Sequence, residues 1–309
     1  MKDEFYYPSK DGNTEIHTIE WKPEGEVKAV LQICHGMVEY IDRYDGFASF
    51  LCAHGYYVVG NDHLGHGKSV QSKSEYGFFA AKYGNACVIG DIHTLRQRTA
   101  KKYPSVPYFI LGHSMGSALL RQYIQMYGKG LAGVIIMGTP REMPKLALRT
   151  GKSLCRIDSI FRGWHYQSRL VNKMAFGTYN KKFKPAETRA DWVTSDRELR
   201  EKYVNDPLCS FGFTVNAYYH MFNGMLKTKK KESFAMVPRT LPVFFVSGED
   251  DPVGGFGAGV TKLYKKYIAH GMQDVSIKLY PGDRHELLNE TDRASVYEDL
   301  YQWLESKKF

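Results

Sequence analysis

No stretch of about eighteen consecutive apolar residues occurs anywhere in the 309-residue chain, which argues against a transmembrane helix. The start does not read as an export signal either. Met1-Lys2-Asp3-Glu4 is charged and runs into a polar turn, so no secretory leader is expected. The five cysteines (Cys34, Cys52, Cys87, Cys155, Cys209) include no C-x-x-C pair and leave an odd one over. That is a pattern of reduced thiols rather than a disulfide framework, and it predicts a cytoplasmic protein, with peripheral attachment to a membrane as the variant. No recognisable nucleic-acid-binding motif is present, and nucleic acid is not an expected partner. His63, His66 and His113 sit among glycines without a matched set of carboxylates or cysteines. They read as loop packing, and no metal is expected.

Acid is scarce in one region only. Between Pro144 and Pro238 there are 18 Lys and Arg against 8 Asp and Glu, while the remainder has 24 against 25. The formal charge of +9 therefore belongs to a segment and not to the whole protein. A solvated basic face is the plain interpretation, and attraction to anionic lipid is the functional one.

Outside that segment the chain alternates. Phe5-Tyr6-Tyr7 and Ile16 to Trp21 read as strands about a Lys10-Asp11-Gly12-Asn13 turn. Ala29 to Cys34 is nearly all apolar, as a strand covered on both faces should be. Arg43 to His54 has helical spacing, Tyr57 to Asn61 is a strand, Val88 to Lys101 a helix and Tyr108 to Leu111 a strand. Ser117 to Tyr127 follows as a helix and Ala132 to Met137 as the sixth strand. The pattern resumes at Leu241 to Val246, then a helix from Gly259, a strand Val275 to Tyr280 and a last helix from Ala294. The expected fold class is α/β: a mostly parallel, doubly wound sheet with a helical cap inserted after the sixth strand. The core comprises 1–143 and 239–309 and the cap 144–238. In the cap, Tyr218, Met221, Phe222, Met225 and Leu226 form an apolar stripe, read as core, followed by Lys227, Lys229, Lys230 and Lys231.

Between the fifth strand and the next helix lies Gly112-x-Ser114-x-Gly116. A strand-to-helix elbow presents a serine hydroxyl there, and its tight turn leaves almost no room for side chains two residues either side. A serine hydroxyl needs a base to take its proton and a third group to orient that base. In open parallel sheets such groups collect beyond the carboxyl ends of strands. Past Val246 stand Glu249, Asp250 and Asp251, and past Tyr280 stands His285. The expected triad is Ser114, Asp251 and His285, with Asp250 and Glu249 competing for the acid role. Oxyanion donors are expected from the backbone N–H of Met115 and of Met37, after the strand that ends at Cys34.

His35-Gly36-x-x-Glu39, Arg43-Tyr44, Asp62-x-x-Gly65-His66-Gly67-x-Ser69, Gly112-His113-Ser114-Met115-Gly116, Gly248-x-x-Asp251 and Gly282-x-x-His285 together resemble the monoacylglycerol lipase / lysophospholipase group of the α/β-hydrolases. The resemblance runs from about residue 5 to 305 and is least in the cap. It implies the α/β-hydrolase fold and a cofactor-free serine hydrolase acting on a small lipid ester. It also implies an acyl-chain tunnel under the cap and substrate-binding residues among Gly36, Glu39, Arg43 and His113. Cap side chains such as Phe161, Trp164, Met174, Phe176, Phe211, Phe213, Met221 and Phe222 are candidates to line that tunnel. Two positions depart from the group: Leu288 stands where a second histidine is frequent, and Ser117 where glycine is. A proline-releasing aminopeptidase, a short-chain carboxylesterase and a non-catalytic binding protein on the same fold are the competing readings.

Overall fold

The protein is described by a computed structural model covering residues 1–229 and 231–307, with only the backbone of Lys231. Lys230, in the basic run, lies outside the described residues. Eight strands form one sheet: β1 (Lys2–Pro8), β2 (Glu15–Trp21), β3 (Ala29–Cys34), β4 (Tyr56–Asn61), β5 (Tyr108–His113), β6 (Gly133–Met137), β7 (Val243–Gly248) and β8 (Val275–Tyr280). Their spatial order is β1-β2-β4-β3-β5-β6-β7-β8. The β1–β2 and β2–β4 pairings are antiparallel and the other five parallel. The expected doubly wound α/β sheet is thus observed.

Helices α1 (Asp45–Ala53), α2 (Gly84–Lys102) and α3 (Met115–Tyr127) connect the first parallel strands. Between β6 and β7 the described residues form no strand; the helices there are α4 (Lys145–Arg162), α5 (Arg169–Phe176), α6 (Arg197–Asn205), α7 (Val215–Lys227) and α8 (Lys231–Ala235). Helices α9 (Ala258–Ala269) and α10 (Arg293–Glu305) complete the chain.

The near-continuous apolar strands follow from burial on both faces. Val30, Cys34, Ile110 and Ile136 belong to one core layer, with α2, α3 and α7. Leu31, Ile33, Leu111 and Ile135 belong to the other, with α1 and α10. Two of the boundaries that differ from the sequence expectation have a visible cause. Ile41–Tyr44 forms a separate 3-10 turn ahead of α1, with the Ile41 N–H held by Asp62. Helix α2 starts at Gly84, four residues before Val88, after Tyr83 at φ +55; Gly-Asn-Ala has no apolar period to announce it. Within the cap, the stripe residues Tyr218 and Phe222 are buried, and α4 packs so closely on α7 that a Cβ on Gly151 would lie 2.8 Å from Phe222.

The strand order reverses about β3, which has β4 on one side and β5 on the other. A crevice at such a switch point, beyond the carboxyl ends of β3 and β5, is where ligands bind in open α/β sheets.

Candidate active site

Ser114 sits between β5 and α3 at φ +51, ψ −116, a conformation an L-residue adopts only when its surroundings impose it. Those surroundings are visible. A Cβ on Gly112 would lie 2.6 Å from the Gly116 carbonyl oxygen, and one on Gly116 would collide with the Cys34 carbonyl. The two glycines let α3 approach β3 and β5. The Ser114 N–H donates to the Met137 carbonyl at 3.0 Å, tying the elbow to β6. Ser117, one of the two departures from the family pattern, is fully buried and donates its hydroxyl to the Ser114 carbonyl at 2.5 Å.

His285 stands in the loop after β8, with Nδ1 3.0 Å from Oδ2 of Asp251 in the loop after β7. Both side chains are buried. Asp251 is itself held: Oδ1 accepts the Val253 N–H at 2.8 Å. Its competitors face elsewhere. Asp250 pairs with Lys182, and Glu249 is exposed. Ser114 and His285 line one cavity of about 360 Å³, whose wall includes Met37, Val38, Phe176, Trp192, Tyr203 and Phe211. The Trp192 ring centroid is 5.1 Å from that of His285.

Met37 and Met115 flank the serine from β3 and α3. Among the described residues the backbone N–H of neither donates a hydrogen bond. Gly36 approaches so closely that a Cβ there would lie 3.1 Å from the Ser114 Cβ. Val38, a β-branched residue, is held at φ +57, local strain of about 1–3 kcal/mol that closes the turn around Met37.

Glu39 and Arg43 are tied into the protein. The buried Glu39 carboxylate accepts the Gly36 N–H, the Tyr44 hydroxyl at 3.1 Å and Arg43 at 3.1 Å, and contacts His113 Nδ1 at 2.9 Å. Arg43 also makes two bonds of 2.7 Å to Glu286. Burial alone would raise the Glu39 pKa, but His113 and Arg43 hold it well below the usual carboxylate range. For His113 burial pushes down and Glu39 up, with a net upward shift. This network stands behind the serine, and through His113 Nε2 it reaches the His285 carbonyl oxygen at 3.3 Å.

Sequence reasoning did not single out Trp192, Tyr203 or Glu286. The first two are isolated aromatics in a polar, aperiodic stretch. Of the eight cap aromatics and methionines proposed for a tunnel, Phe176 and Phe211 line the cavity, Phe213 and Phe222 are buried in the core, and Phe161 and Met174 are exposed. His63 and His66 pack with His35 at ring distances of 4.2 and 5.2 Å. Burial pushes His66 down to about 3.

An eight-stranded α/β sheet, a helical insertion and a serine elbow at its switch point define an α/β-hydrolase. A family profile described as "Serine aminopeptidase, S33" matches residues 25–292, and the chain belongs to that family. It is 26% identical over 296 residues to a monoacylglycerol lipase of Mycolicibacterium smegmatis, covering 93% of this chain and 91% of the relative. It is 25% identical over 292 residues to the monoglyceride lipase of Mus musculus, covering 92% and 84%. A thermostable carboxyl esterase from Bacillus coagulans, solved in complex with glycerol, superposes with a TM-score of 0.90 at 28% identity over 99% of this chain and 98% of that one. On these likenesses the chain is an ester hydrolase.

Proposed function

We propose that Ser114, His285 and Asp251 form the triad of a serine hydrolase for carboxylic esters of single-chain lipids, a monoacylglycerol or a lysophospholipid. The observation that carries the reading is the His285–Asp251 contact in a cavity shared with the Ser114 elbow. His285 takes the Ser114 proton as Oγ attacks the carbonyl carbon, while Asp251 fixes the ring tautomer and balances its charge. The N–H groups of Met37 and Met115 receive the oxyanion. Collapse expels the alcohol, protonated by His285, and water then releases the acid from the acyl-enzyme by the reverse sequence. Phe176, Phe211, Trp192 and Met37 give the cavity an apolar wall suited to an acyl chain, and its volume is in the roughly 300–1,000 Å³ range of small-molecule sites. His113 and Glu39 line the cavity, Gly36 lies against Ser114, and Arg43 acts through Glu39.

The aminopeptidase reading needs free carboxylates for a substrate ammonium. The two carboxylates at this cavity, Glu39 and Glu286, are both paired with Arg43, which favours the ester. Turnover of a panel of aryl esters, monoacylglycerols, lysophosphatidylcholine and a prolyl amide tests this. Long-chain lipid esters are expected to lead, and preference for the prolyl amide overturns the reading.

The cap also carries a surface for an anionic membrane. Leu146, Ile157, Ile160 and Phe161 share one exposed face of α4, with Phe161 81% accessible, and Leu170 and Met174 are exposed on α5. Exposed Arg149, Arg156, Arg162, Arg169 and Lys173 lie on the same two helices. An apolar stripe beside cations is the pattern of a helix lying in a lipid interface. The free cysteines support reading that membrane face as the cytoplasmic one.

A further inference from the structure

The loop that carries His285 is fastened to the cap on both sides of the histidine. Arg284 reaches the Asp191 and Thr194 carbonyls with its guanidinium, and the Glu286 N–H donates to the Val193 carbonyl at 2.8 Å. Thr194 returns a bond from its hydroxyl to the Asn289 carbonyl at 2.8 Å. At the centre is Glu290, fully buried. One carboxylate oxygen accepts the Arg284 N–H at 2.8 Å. The Ser195 N–H lies 2.9 and 3.1 Å from the two oxygens, and the Ser195 hydroxyl donates to the second. Among the described residues no Lys, Arg or His forms an ion pair with this carboxylate. A buried carboxylate satisfied only by donors from two chain segments holds those segments in one geometry, because moving either leaves charge without a partner.

We propose that Glu290 is a positioning residue for His285, locking the Asp283–Arg284 peptide, one removed from the histidine, to the cap segment 191–195. That segment, with Trp192 against the imidazole, is then part of the catalytic frame, in contrast to the exposed helices α4 and α5 of the same cap. The proposal rests on His285 being the base of the proposed triad. Displacement of a catalytic group by about an ångström costs on the order of a hundredfold in rate, so loss of the lock reads out in kcat.

The test is Glu290→Gln, which replaces an accepting oxygen with a donor, alongside Ser195→Ala, which removes one donor from the cap side. Turnover of a soluble aryl ester is normalised to sites titrated to completion with a fluorophosphonate. The expected result is kcat per titrated site down about 10–100-fold in Glu290→Gln and about threefold in Ser195→Ala, with KM within about twofold. Values of kcat per site within 1.5-fold of the parent in both variants overturn the proposal, even if yield or melting temperature falls. Should Glu290→Gln not fold, Ser195→Ala decides by the same threshold. His285→Ala runs in parallel: full turnover in that variant is failure of the triad reading itself, whereas its inactivity with normal Ser195→Ala and Glu290→Gln rates is failure of Glu290 alone.

Discussion

At residue scale the acid of the proposed triad is the sharpest point. Three carboxylates follow β7 in succession, and spacing alone left Glu249 and Asp250 as rivals. The structure separates them by partner: Asp251 faces His285 and Asp250 faces Lys182. Asp251→Asn keeps the shape but presents the wrong group to Nδ1, so kcat is expected to fall about 10³–10⁴-fold. Asp250→Asn, which loses a half-exposed surface pair, is expected to stay within about twofold. Steady-state kinetics on one ester compares them. A second residue-scale effect lies far from the site. The Asp91 carboxyl is pushed up to about 7 by burial, against hydrogen bonds from Lys10 N–H and the Ser9 hydroxyl. An unfolded aspartate ionises near pH ~4, so the folded state holds a proton that the unfolded state has lost between those values. The stabilisation is complete below pH ~4 and is lost as pH rises through about 7. Asp91→Asn is expected to add on the order of 1–3 kcal/mol at pH ~8 and to flatten that part of the urea-midpoint profile.

At element scale the segment between Asp62 and Ser69 explains why the crevice keeps its shape. Asp62 accepts the Ile41 and Lys68 N–H groups and contacts His17 Nδ1, each at 2.8 Å, while a Cβ on Gly67 would run into its carboxylate. The Ser69 hydroxyl donates to the Asp62 carbonyl at 2.8 Å. Asp62→Ala leaves the buried Ile41 N–H, the Lys68 N–H and His17 without this acceptor, and is expected to destabilise by about 3–5 kcal/mol in denaturant unfolding. The central elements were legible in the sequence because the inner parallel strands are short apolar runs between turn residues, and core helices such as α1 and α3 repeat at 3.6 residues. The elbow was legible for a steric reason: only glycine fits at 112 and 116. The cavity wall was not. Phe211 lines it while Phe213, two residues on, lies in the core, and Trp192 reaches His285 from a segment with no period. Tertiary placement of the cap decides those roles, and local pattern carries no record of it.

At the scale of the whole molecule the basic balance found by counting charges resolves into a surface. The cap's exposed Leu146, Ile157, Ile160 and Phe161 turn what read as a charged face into an amphipathic one. Binding to vesicles with anionic lipid is expected to weaken as salt rises from about 50 to 500 mM, since exposed charges are screened over a Debye length of about 10 Å at 0.1 M. Phe161→Ala is expected to lower vesicle partition about tenfold, as one buried aromatic contributes roughly 1.5–3 kcal/mol, and to leave hydrolysis of a soluble short-chain ester unchanged. Binding that ignores both anionic lipid and salt removes the membrane surface from the account. On the proposed reading, chemistry and location are divided between the sheet, which brings Ser114, Asp251 and His285 to the carboxyl ends of β5, β7 and β8, and the cap, which supplies much of the wall and the outer face.

The central claim is that Ser114 is the nucleophile. Ester turnover by Ser114→Ala, measured beside the parent on aryl esters and a monoacylglycerol, tests it most directly. A loss of at least about 10³-fold with folding intact is expected, together with loss of covalent labelling by a fluorophosphonate. Unchanged ester turnover in that variant contradicts it.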